Sequence, residues 1–244
     1  MVDALLENHL AFLAAHRGDV RRSADAVEVV GESDEFSAWI PLTPSAELPD
    51  RVSAVRLVPE SGPGWEERLV AAGFKPAEVL VHLVGEALEG EPASASPSVP
   101  VAPVEPIASA ADAEAFAEVQ SAAFLDEGEP DYDWWRQMFA ERAVQNYAAP
   151  DQSLYLLRVD GDPAAITLVL RTGPVAGVYA VATKPQYRRQ GLATRLLAQA
   201  RRDAAAGRLT LQVAEGSAAE RLYLTLGFRP AYRSPHFRRL SEAA

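Results

Sequence analysis

The stretch Tyr187-Arg188-Arg189-Gln190-Gly191-Leu192-Ala193-Thr194 decides the fold of this 244-residue chain. An apolar run at 178–181 precedes it and ends before Pro185, which cannot donate to a strand ladder. Apolar residues at helical spacing follow over 192–206. A strand, a basic turn and a helix in this order present free backbone N–H groups and the positive end of a helix dipole. Because Gly191 also lets the backbone approach a ligand closely, the stretch predicts a phosphate site.

The turn matches neither of two common phosphate motifs, because the chain contains no GxxxxGK[ST] and no GxGxxG. It has the pattern [QR]-x-x-G-x-[GA], filled by Arg188, Gly191 and Ala193. This pattern resembles the acetyl-CoA signature of the GNAT acyltransferase superfamily. Taken alone, the six residues also suit an ordinary helix N-terminus with a surface arginine pair.

A second motif lies downstream, after a predicted strand at 209–213 and a predicted short helix at 218–226. The chain reads Leu222-Tyr223-Leu224-Thr225-Leu226-Gly227-Phe228, in which Gly227 is expected to end the helix in the left-handed conformation. In the GNAT family the matching segment closes the cofactor site. Residues 106–244 therefore resemble that family. The resemblance implies an α/β fold with a mixed, splayed central sheet flanked by helices, the acyl-CoA N-acyltransferase fold.

Composition excludes several classes of site. The chain contains no cysteine, so disulfides, thiolate zinc sites and a cysteine nucleophile are impossible, and the four scattered histidines show no metal-ligand spacing. The N-terminus lacks a signal-peptide pattern, and the apolar run at 164–170 is far too short to span a membrane. We therefore expect a soluble, cytoplasmic protein with no bound metal and no membrane partner.

The net charge of −11 is unevenly distributed. Residues 1–150 contain 9 basic and 27 acidic residues (−18), whereas 151–244 contain 14 basic and 7 acidic residues (+7). A polyanionic cofactor requires a basic region of this kind around the turn. The acidity of the whole chain opposes binding to nucleic-acid phosphates, so no nucleic-acid partner is expected.

A proline-rich segment separates two parts of the chain. Residues 85–106 contain five prolines among Ala, Ser, Glu and Val, which favours an extended connector over a long loop within one fold. We predict a degenerate acyltransferase-like domain at 1–85, a Pro/Ala-rich linker at 86–105 and the catalytic domain at 106–244.

An internal repeat supports the description of the first domain as a copy. With a shift of 154 residues, eight of the 29 positions over 54–82 are identical to their later counterparts. The copy is predicted to be strand–helix–strand at 52–58, 65–72 and 79–84. The same shift places an acidic, glycine-free segment, 34–39, opposite the phosphate turn. We therefore expect a smaller, partial copy without the cofactor turn, although chance similarity around a common Gly-Phe ending is an alternative.

Further elements are predicted in the second domain from alternation, apolar spacing and turn residues. They are a strand near 104–107, helices at 112–124 (N-capped by Asp112) and 134–142, hairpin strands at 153–159 and 164–171, and a last strand near 236–240.

The GNAT resemblance implies roles for individual residues, with acetyl-CoA as the acyl donor. Backbone N–H groups in the turn would hold the pyrophosphate, and the strand edge at 181–183 would pair with the pantetheine arm. The N–H of Val181 would face the acetyl carbonyl. The family often has Asn seven residues before the motif tyrosine, where this chain has Gly216 with Ser217 beside it. The predicted cofactor-binding residues are Val181, Ala182, Thr183, Arg188, Arg189, Gln190, Gly191, Leu192, Ala193, Thr194 and Ser217.

Tyr223 is the predicted catalytic residue, a general acid that protonates the departing thiolate. Packing at the end of a helix is the alternative role for this side chain. The absence of cysteine and of a GxSxG elbow predicts direct transfer with no covalent enzyme intermediate.

The binding site for the acyl acceptor is predicted from an acidic segment, 126–133, which has five carboxylates in eight residues. Carboxylates there would attract an ammonium group, although a solvated loop is the alternative. The predicted substrate-binding residues are Glu127, Glu129, Asp131 and Tyr179. His236 is interpreted as structural, because His82 occupies the matching position in the degenerate copy.

Together these features predict an acetyl-CoA-dependent N-acetyltransferase acting on a primary amine of a small molecule or peptide, possibly as a homodimer. The alternative is a non-catalytic acyl-CoA-binding regulatory or scaffold module.

Overall fold

The computed structural model describes residues 4–31, 36–86, 104, 106–204 and 207–239. The predicted linker at 86–105 therefore lies almost wholly outside the described residues. The helices and strands follow the chain in this order: α1 (Ala4–His16), β1 (Gly18–Arg22), β2 (Ala26–Gly31), β3 (Ala38–Pro41), β4 (Ala54–Arg56), α2 (Trp65–Ala71), β5 (Phe74–Glu86), α3 (Ala110–Phe124), α4 (Tyr132–Asn146), β6 (Gln152–Val159), β7 (Asp162–Thr172), β8 (Val175–Thr183), α5 (Leu192–Asp203), β9 (Arg208–Ala214), α6 (Ala218–Thr225) and β10 (Arg229–Arg239).

The chain forms two compact units. The first unit comprises Met1–Gly85 together with Thr210–Ala244, and the second unit comprises Glu86–Leu209. This division differs from the predicted boundaries, because the C-terminal strand–helix–strand groups with the N-terminal part of the chain.

Strand pairing within the first unit explains this grouping. Its strands are ordered β1-β2-β3-β4-β10-β5-β9, and the β3–β4 pair is parallel. The two copies of the sequence repeat are β4-α2-β5 and β9-α6-β10, so the predicted strand–helix–strand repeat is confirmed. The copies exchange their last strands, because β10 pairs with β4 while β5 lies beside β9. Each copy therefore completes its sheet with a strand from the other.

The N-terminal copy lacks a helix between β3 and β4, whereas α5 lies between β8 and β9. Its strands β3 and β4 are joined by residues 42–53, which form bends and turns and no helix. No helix N-terminus is therefore available at that point to bind a phosphate. The core of this copy is aromatic, with Trp39 edge-on to Trp65 at 5.3 Å between ring centroids, and with Phe74 and Phe237 packed in the same cluster.

The second unit is an antiparallel sheet, β8-β7-β6, covered by helices. Strand β7 is apolar and buried from residue 164 to 170, because α3 and α5 both pack on this sheet. The predicted β6–β7 hairpin is confirmed, since Asp160 and Gly161 form a two-residue turn with φ of 50° and 91°. No helix in the part of the chain described here is long and apolar enough to cross a membrane.

Three predicted boundaries are wrong. Helix α3 begins at Ala110 and is capped by Ser109, whose Oγ accepts from the backbone N–H of Asp112 at 3.1 Å, so Asp112 is not the N-cap. The strand predicted near 104–107 is reduced to a single bridge between Pro106 and Tyr155. The last strand begins at Arg229, seven residues earlier than predicted, because it pairs along most of β5.

A buried hydrogen bond fixes the C-terminal end of α5 to β6. The hydroxyl of Tyr155, a residue with 0% of its surface exposed, donates to a carboxylate oxygen of Asp203. Burial, and then the nearby Asp203 carboxylate, raise the pKa of Tyr155 to about 12, so the phenol stays protonated. The contact anchors the helix whose N-terminus forms the candidate site.

Candidate functional site

The basic turn between β8 and α5 has two residues in the left-handed conformation. Arg189 has φ of 67°, and Gly191, the residue before α5, has φ and ψ of 78° and 8°. Alternation of this kind directs successive backbone N–H groups toward one side, as in anion-binding nests. The N–H groups of Leu192, Ala193 and Thr194 add to this set, because the first turn of a helix has no intrahelical acceptors for them.

The space in front of Gly191 is open. A Cβ atom added to this residue would have no atom within 4 Å apart from those of Gly191 itself and its two chain neighbours. Arg188 and Arg189 are both exposed beside it, and the Arg188 Nε donates to the carbonyl of Thr183 at 3.2 Å, which ties the turn to the end of β8. Open space, converging N–H groups and two guanidinium groups suit an oxyanion, so these residues fit the diphosphate of a CoA thioester.

Strand β8 has a bulge close to this turn. Thr167 of β7 faces both Ala180 and Val181, and Ala180 has φ of 50°, a conformation that an alanine rarely adopts. The Thr167 hydroxyl donates to the Tyr179 carbonyl at 3.2 Å and holds the distorted strand. A bulge leaves backbone groups out of the ladder, so it frees the segment predicted to bind the acyl donor. The sequence contains no signal for it, because alanine does not favour left-handed backbone.

An ion pair between a buried lysine and an exposed glutamate lies at the end of β8. The Nζ of Lys184, a residue with 8% of its surface exposed, donates to the Glu118 carboxylate of α3. This pair was not predicted, since Lys184 was assigned no role in the turn.

A cavity of about 840 Å³ lies beside the basic turn in the second unit. Glu127, one of the predicted substrate-binding residues, lines this cavity together with Tyr132 and Arg188. Glu129 and Asp131 are exposed and are not among these lining residues, while Tyr179 is buried in β8. The structure therefore brings one predicted carboxylate to the same cavity as Arg188.

Ser217 lies in the first unit as the N-cap of α6. Its Oγ accepts from the backbone N–H of Glu220 at 3.1 Å, and the Glu220 carboxylate accepts from the N–H of Gly216 at 2.6 Å. The hydroxyl proton of Ser217 still has the capacity to donate.

Tyr223 lies in the first unit, on α6, with 7% of its surface exposed. Its ring packs edge-on against Phe228 at 5.9 Å, and burial raises its pKa to about 12. Its hydroxyl forms no hydrogen bond with the residues that the structure describes. Gly227 ends the helix with φ of 83°, and the N–H of Phe228 bonds to the Tyr223 carbonyl at 3.0 Å, so the predicted glycine C-cap is confirmed.

The described residues contain no group of three or more His, Asp or Glu side chains arranged to hold a metal ion.

A family comparison matches residues 150–230 to the acetyltransferase (GNAT) domain. The matched range contains the bulged strand, the basic turn and the segment ending in Gly227 and Phe228. No curated protein sequence matches the chain.

Solved structures resemble the chain over nearly its whole length. A GCN5-related N-acetyltransferase from Kribbella flavida is 20% identical, with a TM-score of 0.67 and coverage of 99% of this chain and 97% of that one. A functionally unknown conserved protein from Staphylococcus epidermidis is 14% identical, with a TM-score of 0.67 and coverage of 95% and 98%. A tandem GNAT protein from the clavulanic acid biosynthesis pathway is 14% identical, with a TM-score of 0.57 and coverage of 91% and 82%. The predicted fold class, with a partial N-terminal copy, is confirmed.

Proposed function

We propose, from the premise that residues 150–230 belong to the GNAT acetyltransferase family, that the chain is an acetyl-CoA-dependent N-acetyltransferase. It transfers the acetyl group directly to a primary amine of a small molecule or peptide. The observation that carries the proposal is the left-handed turn at Arg189 and Gly191, which opens onto free space at the N-terminus of α5.

In this proposal the second unit binds the acyl donor mainly through its main chain. The N–H groups of Arg189, Gly191, Ala193 and Thr194 hold the diphosphate, with the guanidinium groups of the turn adding positive charge. When bound, acetyl-CoA supplies an acetyl group activated as a thioester. The N–H of Val181, in the bulge, stabilises negative charge that develops on the acetyl oxygen.

The acceptor is proposed to be a cationic amine. Exposed carboxylates at Glu127, Glu129 and Asp131 raise its local concentration, because opposite charges attract over several ångströms at moderate ionic strength. The amine attacks only as the free base, so the rate is expected to rise with pH through the pKa of the acceptor. Direct attack is favoured because the chain contains no cysteine nucleophile.

A panel of polyamines, aminoglycosides and peptide amines, assayed for release of free CoA thiol, tests the function. The proposal expects turnover with at least one cationic amine, well above the hydrolysis of acetyl-CoA alone. Saturable binding of acetyl-CoA with no release in any reaction would favour a non-catalytic acyl-CoA-binding module.

Tyr223→Phe is expected to lower kcat by about 100-fold and to leave the Kd for acetyl-CoA unchanged, since removing a general acid typically costs two to four orders of magnitude. The pKa of about 12 keeps the phenol protonated at neutral pH, as an acid must be. Steady-state kinetics combined with calorimetric titration separates the two constants.

Tyr147→Phe is the matched control, because Tyr147 caps the C-terminal end of α4 and has no proposed role in the reaction. It should retain the wild-type kcat. If Tyr223→Phe turned over like the wild type, Tyr223 would serve packing and a different proton donor would be required.

A further inference from the structure

A cluster of ionisable side chains lies within the first unit, and none of its members has a role in the acetyl-transfer proposal. Two of its histidines are buried, three of its residues are half-buried and its glutamate is exposed. We call it the histidine cluster. Its members come from four elements, α1, β4, β5 and β10, and they are His9, Arg56, Glu78, His82, Tyr232 and His236.

The exchanged strands assemble this cluster. In the antiparallel pair of β5 and β10, His82 lies opposite Tyr232 and Glu78 lies opposite His236. The 154-residue shift of the repeat interchanges these pairs, since position 78 corresponds to 232 and position 82 to 236. The register is continuous over this segment, so the four side chains share one face of the sheet. A local pseudo-two-fold axis thus relates the two pairs, and polar side chains from both copies lie together on this face.

Arg56 brings a positive charge into the cluster, and its guanidinium forms no ion pair with a carboxylate among the described residues. The guanidinium Nη1 donates to Nε2 of His9, and because arginine cannot accept a hydrogen bond, Nε2 of His9 carries no proton. The Arg56 Nε is buried and has no partner among the described residues. Burial lowers the pKa of Arg56 to about 10, a larger effect than the opposing attraction of the Glu78 carboxylate.

Glu78 does not neutralise Arg56 by direct contact. Its carboxylate lies 3.3 Å from Nδ1 of His236, and 52% of its side chain is exposed. Hydrogen bonding to His236 is the main cause that lowers the pKa of Glu78. The negative charge is therefore engaged at the rim of the cluster, while the guanidinium extends into it.

His82 has unused hydrogen-bonding capacity at the centre. No part of the residue is exposed, and neither of its ring nitrogens has a partner in the described chain. Its ring stacks on Tyr232 at 4.1 Å and meets His9 edge-on at 5.8 Å between centroids. Burial, reinforced by Arg56, lowers the pKa of His82 to about 3, so the ring is neutral and offers one N–H donor. Nε2 of His236 is also buried without a partner.

We propose that the histidine cluster binds a small oxyanion, a carboxylate or a phosphate group. Buried polar atoms nearly always have partners, yet Arg56, His82 and His236 each have a buried nitrogen without one among the described residues. These three groups influence one another electrostatically, so one missing partner shared among them is indicated. A water molecule would satisfy the imidazole nitrogens and leave the guanidinium charge uncompensated. An oxyanion accepts hydrogen bonds from Arg56 and His82 and also offsets the charge, which is the larger penalty in a buried site.

Proton uptake is a distinctive consequence of this site. A bound anion stabilises the protonated imidazole of His82 or His236, whose charge is otherwise opposed by burial and by Arg56. The other groups facing the cluster are Glu78 and Arg238, which act in opposite directions on His236. Anion binding should therefore take up protons and strengthen as the pH falls toward the pKa values of about 3 and about 4 of these two imidazoles.

Thermal unfolding of the full chain in chloride buffer at pH 7 and constant ionic strength tests the proposal, with inorganic phosphate and acetate as separate probes. At ten times its Kd, a binding probe should raise Tm by about 3 to 6 °C. Arg56→Gln should abolish this increase. Arg51→Gln, the matched control, removes an exposed arginine paired with Glu28 and should retain it.

A second measurement covers the case in which Arg56→Gln does not fold. In the wild type, phosphate or acetate should shift the imidazole ¹⁵N resonances of His82 and His236. A response to one probe or to both supports the site and identifies the anion geometry it accepts. No Tm shift and no imidazole shift with either probe would overturn the proposal, as would an undiminished Tm shift in a folded Arg56→Gln protein.

Discussion

Gly191→Asp is expected to reduce the affinity for acetyl-CoA by at least about 100-fold. The new side chain would project into the open space in front of the turn, where its Cβ has no atom within 4 Å beyond the adjacent residues of the chain. The diphosphate is proposed to lie in that space, so the new side chain blocks its binding. The substitution also places the negative carboxylate within a few ångströms of the negative diphosphate. Such repulsion amounts to several kcal/mol in a partly solvated site. Calorimetric titration with acetyl-CoA measures the loss.

Gly64→Asp provides a closely matched control. Gly64 precedes α2 with φ and ψ of 84° and −3°, nearly the conformation of Gly191, and a Cβ there also has no neighbour within 4 Å. Both substitutions place an aspartate in a left-handed position before a helix, with a similar strain of about 1 kcal/mol. Gly64→Asp should leave acetyl-CoA affinity unchanged. Equal losses of affinity in the two variants would mean that general destabilisation, and not the turn, is responsible.

Acidification from pH 7 to pH 5 is expected to remove at least about 4 kcal/mol of unfolding free energy. Burial lowers the pKa of His82 to about 3 and of His236 to about 4, and it lowers the pKa of His9 well below the usual value of 6.5. The unfolded chain therefore binds protons below about pH 6.5, whereas the folded chain does not bind them until about pH 4. Stability is fully present above pH 6.5 and is lost as the pH falls through this window.

The size of the loss follows from proton linkage. His82 and His236 each stay neutral while their unfolded counterparts are protonated, and each contributes about 2 kcal/mol over these two pH units. His9 adds to the loss in the same direction. Domains are typically stable by only about 5 to 15 kcal/mol, so the chain is expected to be close to unfolding at pH 5. Urea denaturation in chloride buffer at several pH values measures the slope. His82→Phe should lower the slope by about one proton, and an unchanged slope would contradict the assignment.

The left-handed turn before α5 and the repeat could be predicted because they depend on local patterns. Glycine at a left-handed position, a helix start after a strand and the Gly-Phe ending of a helix each have a signature within a few residues. The matching histidines, His82 and His236, were also visible in the repeat. Their interpretation as structural residues left out His9 and Arg56, which come from other elements. Arg56 reaches the cluster because β4 pairs with the exchanged strand β10.

Other features of the site depend on contacts that single residues do not reveal. The bulge at Ala180 is imposed by pairing with β7, since alanine has no preference for that backbone conformation. The ion pair between Lys184 and Glu118 joins residues 66 positions apart. The grouping of 210–244 with the N-terminal part follows from which strand is adjacent to which, and periodicity within one strand does not specify its neighbour.

A crystal structure of the chain with CoA would test the central claim most directly. The claim predicts that oxygens of the diphosphate lie within hydrogen-bonding distance of the main-chain N–H groups of Gly191 and Ala193. A diphosphate bound elsewhere, with the amides of this turn facing solvent or occupied by protein side chains, would contradict it.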